Sequence, residues 1–158
     1  MTRITIKAEH INPFIRATVD TLAKMANLTA TPGKVALKDG SENLSYDVSG
    51  IIGLSGGAKG SVGLSFPRLT ALALTRAFSG EKAVSTNMMV DAVGELANIV
   101  AGAAKRDLTQ YQIQISLPTV ILGENHAVNG PLDAGSMIVP FESPAGRFDL
   151  AVCFKSVA

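Results

Sequence analysis

The chain has 158 residues, 47% of them hydrophobic and 17% charged, with a formal net charge of +1. That length fits one domain, spanning 1–158, and that composition supplies a sizeable apolar interior and excludes a disordered chain. Near-neutral charge without a block of like charges excludes a broad field for nucleic acid or an anionic membrane, so recognition must be local.

The opening MTRITIKAEHINP lacks the apolar run of a signal peptide, and no stretch approaches the roughly 18 continuous apolar residues of a membrane span, so a cytoplasmic protein is expected. The lone Cys153 cannot form an internal bridge. With His10 and His126 it shows no metal-ligand spacing, so no metal site is expected.

Asn12-Pro13 predicts the start of a first helix, because asparagine caps free N–H groups and proline suits the first turn. It should run to about Leu28, with Phe14, Val19, Leu22, Met25 and Ala26 facing inward and Arg16, Asp20, Lys24 and Asn27 outward. Glycines and prolines over 32–40 end it. From Leu44 the period changes to two: Leu44, Tyr46 and Val48 alternate with polar residues and lead into GIIGL, a long strand. SGGAKG then turns the chain into SVGLSF, with Val62, Leu64 and Phe66 on one face, giving a β-hairpin.

Pro67 opens a second helix that ends near Gly80, and a third runs from about Ser85 to Leu108. Three strands follow. In YQIQISLPTVIL, Tyr111, Ile113, Ile115 and Leu117 alternate with polar partners until Pro118 interrupts. SMIVPFES and RFDLAVCFKS are joined by the turn PAG, and in the latter Phe148, Leu150, Val152 and Phe154 alternate, leaving Cys153 on the face of Asp149 and Lys155 as an incidental thiol. The order predicts an α+β domain with a largely antiparallel sheet and long helices. A helix followed by strands occurs twice, which suggests two pseudo-repeated units.

The third helix is the informative one. Asn87, Asp91, Gly94, Glu95, Asn98, Gly102 and Lys105 fall on one face, linked by steps of three and four, while Met89, Val93, Leu96, Val100 and Ala103 fall on the other. Any surface helix has a wet side. Gly94 and Gly102, however, each cost about 1 kcal/mol relative to alanine inside a helix, and on the polar strip no packing on a sheet is expected to explain them. Small residues there would let a partner approach the backbone while Glu95 and Asn98 project into it. A side-chain amide is a poor base, but it can aim a water molecule, which suffices when the leaving group is already good, as in an acyl phosphate. A carboxylate one turn away suits pairing with a lysine on the partner.

GLSGG at 53–57 matches the G-x-S-x-G pattern of serine hydrolases, but a strand follows where a helix is needed, and His126 has no supporting pattern. The same stretch lacks the second glycine and the helix of a phosphate-binding loop. Turn and close-packing roles remain for its glycines.

INPF, SGIIGLSGGAKGSVGLSFP, DAVGELANIVAGAAK, ISLPTVILG and PFESPAGRFDL, in that order over residues 11 to about 155, make the chain similar to the CheC/CheX family, and within it to the stand-alone CheX type. Asp91, Glu95, Asn98 and Pro118 match the family's acidic or hydroxyl residue, glutamate, asparagine and later proline. Nineteen residues separate Asn98 from Pro118, slightly fewer than in the family pattern, implying a shorter loop. The resemblance implies a CheC-like fold and a phosphatase acting on the phosphorylated aspartate of CheY-like response regulators. Asn98 would orient the attacking water and Glu95 would bond the regulator's active-site lysine. Asp91, Gly94, Gly102 and Lys105 would then belong to the partner-binding face. The Mg2+ ion would belong to the regulator, so no cofactor of its own is implied, and the chain would form homodimers by continuing a sheet across two copies. CheC relatives carry the glutamate–asparagine pair twice. Here Thr21 and Lys24 stand where a second pair would be, which implies one active surface per chain. The alternative is a CheX-like module that binds a signalling protein without turnover.

Overall fold

The computed structural model describes residues 7–37, 45–128 and 136–157. The order is α1 (Ala8–Ala26), β1 (Thr31–Pro32), β2 (Ala36–Leu37), β3 (Tyr46–Gly56), β4 (Ala58–Phe66), α2 (Arg68–Ser79), α3 (Thr86–Arg106), β5 (Ile113–Ile115), β6 (Thr119–His126), β7 (Ser136–Glu142) and β8 (Phe148–Ser156). All strand pairs are antiparallel and form one 8-stranded sheet in the order β1-β7-β8-β4-β3-β5, with β2 also on β7 and β6 also on β3. The α+β architecture is as expected.

The sheet order has a symmetry that follows the two expected units. The first runs from α1 through β4, the second from α3 through β8, and α2 joins them. β4 and β8 pair at the centre, β3 and β7 flank them, and each flanking strand also pairs with two strands of the other unit, β3 with β5 and β6 and β7 with β1 and β2. Exchanging the halves reproduces the same order reversed.

α1 begins earlier than expected. Asn12 and Pro13 lie inside the helix, and Lys7 is the residue before its first turn. The signal is His10: its Nδ1 accepts the Lys7 backbone N–H at 3.1 Å, its Nε2 lies 2.7 Å from the Tyr111 hydroxyl, and its ring stacks on Phe154 at 4.7 Å. An Nδ1 that accepts places the ring proton on Nε2 in the neutral form. Burial holds His10 below its ordinary value, against the opposing pull of Glu9 and with Lys7 adding to the lowering. At the other end Asn27 takes the left-handed conformation at φ 54°, and the Leu28 N–H reaches the Leu22 carbonyl. Ile11, Phe14, Ala17, Leu22 and Ala26 are buried, whereas Met25, expected inside, is 43% exposed and Val19 only partly covered. The inward stripe therefore lies slightly to one side of its expected position and includes Thr18, whose hydroxyl donates to the Phe14 carbonyl.

The hairpin forms as expected, with register from Val48 opposite Phe66 to Leu54 opposite Gly60, but the strands run on into SGGAKG and reverse at Gly57. A Cβ there would overlap the Tyr111 carbonyl oxygen. Tyr111 itself sits in a short 3-10 turn, Thr109–Tyr111, instead of in a strand. β5 is only three residues long, and the chain leaves the ladder before Pro118, so Leu117 is 86% exposed where alternation placed it inward. Leu44 lies outside the described residues.

The three helices of the described residues share one core with the sheet. Val62, Leu64, Phe66, Phe148, Leu150, Val152 and Phe154 point into it with Phe14, Met89, Val93, Leu96 and Val100. Burial of each large apolar side chain contributes about 1.5–3 kcal/mol. Phe148 stacks between Phe66 and Phe141 at 5.2 and 5.1 Å. Other strand residues carry a buried polar chain: Ser49 Oγ lies 2.7 Å from Ser65 Oγ and 2.8 Å from His126 Nε2, and the Tyr46 hydroxyl donates to Asp149 Oδ2 at 2.6 Å. Cys153 is buried.

α3 approaches β3 closely because residue 50 is glycine. A Cβ at Gly50 would lie 2.9 Å from the Val93 carbonyl oxygen, 3.0 Å from Val93 Cγ1 and 3.2 Å from the Ala97 Cβ. Gly50→Ala should therefore lift the helix and destabilise the fold by about 1–3 kcal/mol, lowering the thermal midpoint by several degrees in a circular dichroism melt. An unchanged midpoint would show that the approach is not tight.

Candidate functional site

α3 positions the site. Ser85 caps it by accepting the Met88 N–H at 3.1 Å, and the helix then runs unbroken to Arg106. Met89, Val93, Leu96, Ala97, Val100 and Ala104 are buried, so the inner face is fixed to sheet and neighbouring helices. That fixes the opposite face. Asn87, Asp91, Glu95, Asn98 and Lys105 are all exposed.

Asp91, Glu95 and Asn98 lie on successive turns, spacings that put neighbouring Cβ atoms about 5–6 Å apart. Among the described residues none of the three makes a side-chain hydrogen bond or ion pair. Their polar atoms therefore face outward from the helix, unoccupied by the other described residues. The three residues line an open groove with Val90 and Gly94, and its far wall is Leu117, Pro118 and Val120 from the connection into β6. The site is thus a ridge bearing an acid, an acid and an amide beside an apolar wall.

Gly94 differs from its expected role. It is buried, and a Cβ there would meet Val120 Cγ2 at 3.2 Å and Pro118 Cγ at 3.8 Å. The glycine admits the wall of the groove, so packing does explain it after all. Gly102 is different: among the described residues nothing lies within 4 Å of its would-be Cβ. Gly102 and Lys105 lie four and seven residues beyond Asn98, roughly 6 and 10 Å along the axis, and they do not line the groove. The apolar wall was missed in the sequence, apart from Pro118. Leu117 followed by a proline is the signal that could have exposed it, since a proline takes the preceding residue out of the ladder.

The other places singled out in the sequence carry no comparable arrangement. Thr21 is buried and Lys24 exposed in a crevice between α1 and α3 with Asp20 and Arg106, and no glutamate–asparagine pair lines it. Ser55 lies inside β3, one residue before its end, and β4 follows where a nucleophile elbow would need a helix, while His126 is engaged by Ser49 and by the Gly123 carbonyl. No group of three or more histidine, cysteine, aspartate or glutamate side chains is placed to hold a metal among the described residues. No helix among them is long and apolar enough to cross a membrane.

An antiparallel sheet whose two halves interleave, covered by helices of which one presents its polar residues outward, is the CheC-like fold: a CheC-like superfamily protein from Shewanella sp. PV-4 superposes with a TM-score of 0.86 at 34% identity, over 96% of this chain and 100% of that one. The family profile described as "Chemotaxis phosphatase CheX" matches residues 48–142, and the chain belongs to that family. The CheY-P phosphatase CheX of Thermotoga maritima is 29% identical over 122 residues, 75% of this chain and 78% of that protein. In the crystal structure of the CheX-CheY-BeF3-Mg+2 complex from Borrelia burgdorferi, a chain 26% identical matches 95% of this one with all of its own length, at a TM-score of 0.81.

The two glycines of α3 make opposite predictions. Gly102→Ala should stabilise the fold by up to about 1 kcal/mol, because the helix gains propensity and the methyl meets nothing. Gly94→Ala should gain less or lose, because its methyl presses on Val120. Thermal midpoints of the two variants in the opposite order would mean that Pro118 and Val120 do not hold their place against the helix.

Proposed function

We propose that the protein hydrolyses the aspartyl phosphate of a phosphorylated CheY-like response regulator, with the exposed strip of α3 docked over the regulator's reaction centre. The observation that carries this is the pairing of Glu95 and Asn98 one turn apart, exposed and without partners among the described residues, in a chain of the chemotaxis phosphatase CheX family. The phosphatase name of the Thermotoga relative and the Borrelia complex with CheY support the choice of substrate.

In this mechanism the aspartyl carboxylate of the acyl phosphate is already a good leaving group, so the enzyme's task is to place a water in line with the P–O bond. The Asn98 carboxamide accepts and donates at once, holding that water in one orientation while it attacks phosphorus. The bond to the aspartyl oxygen breaks, and inorganic phosphate leaves with a free carboxylate on the regulator. Glu95 pairs with the regulator's active-site lysine and fixes the angle at which Asn98 enters. Held on a helix whose other face is buried, the amide needs little reordering on docking. A Mg2+ ion would be held by the regulator, where it would offset charge on the phosphoryl group, and this chain's part is limited to Glu95 and Asn98.

We also assign the chain as a homodimer that continues its sheet. β6 pairs only with β3 among the described residues, and this edge strand exposes Ile121 and Leu122, at 36% and 46%. A solution mass of one chain in analytical sedimentation would exclude this.

Asn98→Ala should return decay of the phosphorylated regulator to its own spontaneous rate, a loss of about 100-fold or more in turnover, with an unchanged circular dichroism spectrum because the residue is exposed. Glu95→Ala should mainly raise KM. The measurement is phosphate release from a panel of phosphorylated regulators. Undiminished turnover by Asn98→Ala excludes the role of the amide, whereas binding of the phosphorylated regulator without faster phosphate loss would make the chain a non-catalytic module.

A further inference from the structure

Asp91 and Glu95 border a second depression, on the side of α3 away from Leu117. Its walls are Thr75 and Phe78 of α2 and Met88 and Ala92 of α3, with Ser79 at the rim. The floor is apolar. Thr75 is buried and its hydroxyl donates to the Ala71 carbonyl at 2.7 Å, so its proton is already committed, and Ala92 is 6% exposed. Phe78 and Met88 are partly exposed side chains of the cleft. Acid on one rim and hydrocarbon below give the cleft a chemistry of its own.

We propose that this cleft receives one apolar side chain of the response regulator, carried beside a basic residue whose charge meets Asp91, and that it sets which regulator is accepted. The inference rests on the proposed function, since it needs the regulator to lie over Glu95 and Asn98. Continuity and size then argue for the occupant. Asp91 and Glu95 line both the groove and the cleft, so a protein seated on the ridge overhangs both. An ordinary interface covers about 800 Å² per side, a disc of radius about 16 Å. Met88 lies seven residues from Glu95, about 10 Å along the helix, well inside that disc. Charge complementarity supplies the remainder: Glu95 takes the lysine of the reaction centre, and Asp91, exposed and unpaired among the described residues, is left for a second cation.

The test uses the full chain and a phosphorylated regulator that it dephosphorylates, with steady-state kcat and KM for wild type, Met88→Gln, Met88→Leu, Asp91→Asn and Asn98→Ala. Met88→Gln keeps length and charge but places an amide in the apolar floor, and it should raise KM about ten-fold with kcat held. Met88→Leu should stay within about two-fold of wild type. Asp91→Asn should raise KM and weaken its dependence on salt. Met88 is partly exposed, so these changes leave the fold intact, which circular dichroism verifies. Wild-type KM in Met88→Gln, with turnover lost in Asn98→Ala, overturns the inference while leaving the proposed function standing. Undiminished turnover in Asn98→Ala overturns both. A change in solution mass of Met88→Gln without regulator would assign the cleft to a second copy of this chain and likewise overturn the inference.

Discussion

The contact on which the rest depends is that between α3 and the middle of β3, where the missing side chain of Gly50 lets the Val93 carbonyl come to a distance that no Cβ would allow. A helix set that low buries its whole inner stripe against β3 and the strands beside it, β4, β5 and β6. It then has no freedom to roll. The direction in which Glu95 and Asn98 point is therefore decided on the opposite side of the helix, by hydrocarbon contacts. Gly94 acts in the same sense from the flank, since it lets Pro118 and Val120 close against the helix and hold the apolar wall beside the polar ridge. Two glycines, one in a strand and one in a helix, thus determine the shape of the surface, while the chemistry lies in their neighbours.

The two halves of the chain share topology but diverge in use. Each presents one long helix to one face of the sheet, α1 in the first half and α3 in the second. In α3 the outward positions hold carboxylates and an amide. In α1, Thr21 has turned inward into the core, and Arg16, Lys24 and Asp20 line a crevice of mixed charge. Arg16 reaches only 3.9 Å from Asp107, and both side chains are largely exposed, so the pair is screened by solvent and adds little stability. Repetition of architecture has not carried repetition of chemistry with it.

Much of this was legible in the sequence wherever a pattern was long. Twenty-one residues of helical period with Ser85 in front of them define α3, and alternating phenylalanine, leucine and valine define β8. Even the exposure of Asp91, Glu95 and Asn98 followed from the period alone. What could not be read depends on partners far away in the chain. The start of α1 is fixed by His10, whose hydroxyl partner lies 101 residues further on, so the familiar cap signal of Asn12-Pro13 pointed five residues too late. β1 and β2 have two residues each, too few to show a period. Leu117 continues an alternation that the chain abandons just before Pro118, and nothing local states on which side of the break the leucine falls. The cover over Gly94 is a tertiary fact of the same kind.

The interleaved sheet has a consequence for how the molecule comes into being. Its central ladder joins β4 to β8, with Ala58 opposite Ser156, and β1 of the amino-terminal half waits for β7. During synthesis the β3–β4 hairpin can form from neighbouring residues, but the long side of β4 stays bare until β8 has been made. Such distant pairings make closure slow and leave a sticky ribbon edge in the nascent chain. The same interlocking that gives α3 its fixed platform makes maturation wait for β8, which has to slide into the middle of the sheet beside a strand made some ninety residues before it.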